Sequence, residues 1–147
     1  MEFLARRTDV RGIVVIDNQP GLAEGVAWRA HLGALQEGID AKVQGWEMDV
    51  ADVNALEEII RTCAPRVVLH TATILTVREL AQRLRPETFA RIRASGMAGF
   101  LPAHLYLGLR VQTALERISP RPFLVTVPFP DFTNQILAIL SWTGSQW

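Results

Sequence analysis

Four strand-like segments, three of them short apolar runs and one more polar, each followed by a stretch of helix formers, constrain this chain more than any other feature. The first, Gly12-Ile13-Val14-Val15-Ile16-Asp17, is closed by an acid and by the turn formers Asn18, Pro20 and Gly21. Its continuous apolar character predicts a strand buried on both faces, as in parallel sheets. Helix formers fill residues 22–36, and Gly38 stands where a C-terminal stop belongs. A second strand is expected over residues 42–48, interrupted by Gly45 and Glu47. Asp52 reads as the N-cap of a helix over residues 53–63, with Glu57 and Glu58 early, Arg61 late and Pro65 beyond its end.

The third strand, Val67-Val68-Leu69-His70-Thr71-Ala72, is the clearest of the chain. An arginine-rich stretch over residues 77–94 predicts one helix, or two broken at Pro86. The glycine-bearing loop 95–99 then leads to a helix over residues 102–118 with proline in its first turn. Ser119-Pro120-Arg121-Pro122 punctuates, residues 123–127 form the last strand, and residues 132–141 form a final apolar helix. At the start, residues 2–7 read as the end of a helix and Thr8-Asp9 as a turn. Strands alternating with helices of this length imply right-handed crossovers, a parallel sheet and helices on both faces. The expected fold is an α/β three-layer sandwich forming a single domain over residues 1–147.

Composition removes several classes of function. Fifteen basic and fifteen acidic side chains balance to zero net charge with no basic run, which argues against nucleic acid or an anionic membrane as the main partner. No apolar run approaches the about 20 residues of a membrane span, and the first residues lack the ordered regions of a signal peptide, so the expected location is cytoplasmic. Cys63 is the only cysteine and Lys42 the only lysine. That excludes a disulfide framework and a cysteine-based zinc site, and leaves little scope for lysine chemistry. His31, His70 and His104 are too far apart in sequence for a local metal motif, so no metal is expected.

The strand ending in Asp17 and its turn, Asp49-Val50, the helix with Leu56 and Ile60, and the run Val67 to Ala72 together follow a D-V … L-x-x-x-I … V-V-x-H-x-A pattern. This pattern resembles the Rossmann NAD(P)-binding domain of extended short-chain dehydrogenase and saccharopine-dehydrogenase-like oxidoreductases. The resemblance covers residues 10–75 well and the rest in outline. It implies hydride transfer at a carbonyl or imine carbon of a small-molecule substrate. It also implies that the Asp17 carboxylate, next to Asn18, accepts hydrogen bonds from the adenosine ribose. Asp49 and Val50 would lie near the adenine, and the backbone at His70, Thr71 and Ala72 near the nicotinamide ribose. A free carboxylate at residue 17 repels a 2′-phosphate, which favours NAD over NADP.

The departures from the family are as informative as the match. The Gly-x-Gly-x-x-Gly loop expected about 20 residues before Asp17 is absent, so the chain reads as a Rossmann domain lacking its first strand and phosphate loop, with cofactor binding weak or lost. The C-terminal end is open to the same reading. Tyr106-Leu107-Gly108-Leu109-Arg110 has the spacing of Y-x-x-x-K, but an arginine replaces the lysine and the tyrosine precedes the last strand rather than following it. Tyr106 therefore reads as a core aromatic before it reads as a catalyst. His104 and Asn134 are the other catalytic candidates, Asn134 because it follows the last strand together with Asp131 and Thr133. Asp131 alternatively caps the final helix. Each binding residue has a bland counterpart: Asp17 as the acid of an Asx-turn, Asp49 as a partner of Asp52 in capping, His70 as a buried core histidine. The tail tryptophans Trp142 and Trp147 need cover. An alternative function follows, a non-catalytic interaction module that forms a homodimer through an exposed sheet edge or this tail.

Overall fold

The expected alternation of strands and helices is realised in a computed structural model that describes residues 1–127 and 132–143. The elements run α1 (Glu2–Ala5), β1 (Ile13–Asp17), α2 (Leu22–Leu35), β2 (Val43–Glu47), α3 (Val53–Cys63), β3 (Val67–His70), α4 (Val77–Arg83), α5 (Pro86–Ala94), α6 (Leu101–Glu116), β4 (Phe123–Thr126) and α7 (Phe132–Thr143). The glycine-bearing loop is a turn of 3-10 helix, Gly96–Phe100. The arginine-rich stretch is two helices, divided where Pro86 starts the second. The described strands form two parallel pairs, β1 with β2 and β3 with β4. The chain divides into two compact units, Met1–Ala55 and Leu56–Trp147, with the boundary inside α3.

In the first unit, β1, α2 and β2 form one parallel crossover, with Ile13 opposite Val43 and Asp17 opposite Glu47. Helix α2 buries Ala23, Ala27, Ala30 and Ala34, a stripe at helical spacing whose small side chains allow close approach to the sheet. The approach is tightest at Gly45, where an added Cβ would lie 2.4 Å from the backbone of Ala23 and Glu24. Ala5, Ala30 and Ala34 form the core, flanked by Ile13, Ile39, Ala41 and Val43. Gly38, at φ +76°, follows α2 as expected, and Ile39 N–H closes the helix end on the Ala34 carbonyl.

In the second unit, Val67 faces Phe123 and Leu69 faces Val125, and the ladder extends by a bond from Val127 N–H to the His70 carbonyl. Helix α6 supplies the core: Leu107, Val111, Ala114 and the fully buried Leu115 recur on one face. Gly108 lies on the same face, where an added Cβ would meet Leu137 of α7 at 2.9 Å and His70 Nε2 at 3.7 Å. Glu57 on α3 accepts from Arg61 at 2.8 Å and from Arg117 at 3.5 Å, and so ties α3 to the chain just after α6.

The expectation that the first strand is buried on both faces is corrected here. Strand β1 is half-buried throughout, and β3 and β4 alternate between a covered and an exposed side. A continuous apolar run meets the requirement of a doubly covered strand, but it does not itself supply the second covering layer.

Candidate functional site

The binding candidates fall at the carboxyl end of one or other strand pair, the kind of position where open α/β sheets bind ligands, whereas His104 and Tyr106 lie on α6. In the first unit Asp17 ends β1, Asn18 follows it exposed, and Asp49 and Val50 follow β2. The Met48 N–H bonds to the Asp17 carbonyl and draws the two strand ends together. Asp17 Oδ1 accepts from Gln19 N–H at 2.8 Å, an Asx-turn that engages one of the two carboxylate oxygens. Asp49 Oδ1 accepts from Ala51 N–H at 2.9 Å. The cap of α3 belongs to Asp52, whose Oδ1 accepts from Asn54 and Ala55 N–H at 3.0 and 3.1 Å. Asp49 therefore shapes the turn before α3, and Asp52 alone caps the helix with its side chain.

This edge is acidic, with Asp17, Glu47, Asp49 and Asp52 within one strand-end cluster of sequence positions. Its charge opposes a phosphate and suits a neutral hydroxyl donor. The fit to a dinucleotide is thus divided. The Asp17 carboxylate ends β1 with one oxygen in the Gln19 turn, whereas no Gly-x-Gly-x-x-Gly run, the kind that holds a pyrophosphate, occurs in the sequence.

In the second unit His70 ends β3 at 4 % exposure, and its Nε2 is buried without a hydrogen-bond partner. Burial lowers its pKa below the ordinary histidine value, so the ring is neutral at pH 7. Thr71 and Ala72 lie just beyond the strand. Opposite His70 in register is Thr126, whose hydroxyl bonds Asn134 Oδ1, while Asn134 Nδ2 donates to the Thr126 carbonyl at 3.3 Å. These paired bonds hold the first turn of α7 to the end of β4. His104 Nδ1 lies 3.3 Å from the Thr73 hydroxyl, and partial burial lowers its pKa as well.

Sequence reasoning left Thr73 and Thr126 out of the candidate set. Their positions three residues past His70 and at the end of β4 were the available signals, but their partners are remote in sequence. Tyr106, read as a core aromatic, is 46 % exposed, with the Arg110 guanidinium 6.0 Å from its ring centre. Asp131 and Trp147, and the side chains of Thr133 and Trp142, lie outside the described residues. Among the described residues no three His, Cys, Asp or Glu side chains converge as a metal site, and no helix is long and apolar enough to cross a membrane. No protein family matches this chain, and comparison with curated proteins gives no match.

Proposed function

We propose that this α/β chain is a Rossmann-type domain of oxidoreductase descent that recognises the adenosine ribose of NAD through Asp17 and has lost most of its affinity for the whole dinucleotide. The observation that carries this reading is the Asp17 carboxylate at the carboxyl end of a parallel strand, with one oxygen committed to the Gln19 turn. The pairing of β1 with β2 and of β3 with β4 is in keeping with it, because second with third and fourth with fifth are neighbouring strands in the Rossmann order. Two features argue for weak binding: the acidic strand-end residues and the lack of a glycine loop. In the family it resembles, the nicotinamide ring carries the hydride; in this chain Asp17 orients a ribose, and His70, neutral and enclosed, serves packing within its own unit.

Asp17→Asn tests the reading cleanly, since the amide oxygen retains the turn to Gln19 while the charge is removed. Amide spectra of the wild type titrated with NAD or AMP are expected to shift at Asp17, Asn18 and Gln19 with a Kd of about 1 mM or weaker. NADP should bind less well than NAD, and D17N should narrow that gap. No shift at these amides at about 10 mM ligand, or equal shifts and selectivity in D17N, would sink the proposal. A second reading, as an interaction module, is favoured by the apolar exposure of β3 and β4.

A further inference from the structure

We propose that the outer face of the β3–β4 pair is a homodimer interface, in which two copies of the chain pack sheet against sheet. The strand positions on that face are apolar and open, Val67 at 54 %, Leu69 46 %, Phe123 78 % and Val125 45 % exposed, and Val127 just beyond β4 is 59 % exposed. The register places Val67 beside Phe123 and Leu69 beside Val125, so these side chains form one contiguous surface. The alternate positions turn inward, with Val68, Leu124 and Thr126 half-covered and His70 buried. The exposure is therefore ordered by the pleat and belongs to one whole side of the pair.

Area decides the occupant. These five side chains leave roughly 500 Å² of apolar surface open, near the top of the about 300–600 Å² range for the largest patch on a monomer. Two copies face to face remove about 1,000 Å² from water, the level at which a specific interface begins. The face is its own chemical complement. None of these five side chains carries a charge to be desolvated, and apolar sheet faces stack about 10 Å apart in aligned layers, as in a β-sandwich. A two-fold axis through the patch places the same residues on both sides and closes the assembly at two copies. This interface differs from the edge and the tail to which the sequence pointed, and it does not rest on nucleotide binding.

Sedimentation velocity of the full chain over a concentration series tests it. The wild type is expected to dimerise with a Kd in the micromolar range. Phe123→Glu, at the most exposed position of the patch, and Leu69→Glu, at its middle, should each raise that Kd at least about 100-fold, with unchanged far-UV circular dichroism. The milder Val67→Asn should weaken it by a smaller factor and serves if either glutamate variant unfolds. Trp28→Glu, an exposed apolar site of the first unit, should leave it unaltered. A wild type that stays monomeric to about 100 µM, a Phe123→Glu protein that remains dimeric, or dissociation by Trp28→Glu to the same extent would overturn the proposal. Since D17N lies in the other unit, loss of ribose recognition and loss of dimerisation are read separately.

Discussion

His70 shows how a single residue carries both a local cost and a local signature. Its ring nitrogen Nε2 is enclosed without a hydrogen bond, beside the gap that Gly108 leaves on α6. Neutral imidazole tolerates this place better than imidazolium, which is why its pKa lies below the ordinary value. The folded state therefore binds fewer protons than the unfolded state over the interval between the two pKa values. The stability contribution is complete above the unfolded value of about 6.5 and is lost as pH falls below it, at up to about 1.4 kcal/mol per pH unit. Denaturant unfolding between pH 8 and pH 5 should show a plateau and then this decline. His104, shifted in the same direction, adds a smaller share because it is less enclosed. In His70→Gln the decline should shrink to the His104 part; an unaltered slope would mean that His70 does not titrate on unfolding. The carboxyls of Glu57 and Glu79, held below the usual range by Arg61 and by the Thr76 backbone respectively, act in a separate and more acidic window.

Elements in this chain end where their terminal residues direct. Asp52 caps α3, Gly38 follows α2 in the left-handed region, and Thr76 with Glu79 forms a reciprocal capping box at the start of α4. The cap at Asp52 and the stop at Gly38 were legible because a cap and a turn depend on neighbours within four residues, whereas the Thr76–Glu79 box emerges only in the structure. The fit of α2 onto β2 was less legible. Gly45 read as an interruption of a strand, yet it is the position over which α2 passes most closely. Gly45→Ala would force a methyl group into the Ala23–Glu24 backbone and should destabilise the first unit by about 1–3 kcal/mol. Gly25→Ala, inside α2 with open space around the added carbon, should instead stabilise it by about 0.5–1 kcal/mol. Equilibrium unfolding of the two variants measures the contrast, and equal effects would show that packing at Gly45 can relax.

At the scale of the whole molecule, the described strands form two parallel pairs of two, in keeping with the alternating, parallel α/β arrangement the apolar runs suggest. Two-stranded sheets need additional cover to persist. The β1–β2 pair has α2 and the alanine core, whereas one side of the β3–β4 pair leaves Val67, Leu69, Phe123, Val125 and Val127 substantially exposed. If a second copy supplies that cover, dimerisation and folding are linked, and the unfolding temperature must depend on concentration. Raising the chain concentration from about 1 to 100 µM should raise the wild-type midpoint and leave that of Phe123→Glu constant. A wild-type midpoint independent of concentration would decouple the face from stability.

The sequence by itself determined the alternation of strands and helices, the helix caps, the carboxylate closing β1 and the balance of charge. Each of these follows from propensity, periodicity or local hydrogen bonding, which act over a few residues. Tertiary structure decided which strands pair, which side of β3 and β4 is left open, and that Tyr106 is exposed while His104 meets Thr73 and Asn134 meets Thr126. An apolar run has the same composition whether one or both of its faces are covered, and a polar side chain does not disclose a partner remote in sequence. Only the packing of elements distant along the chain distinguishes these cases.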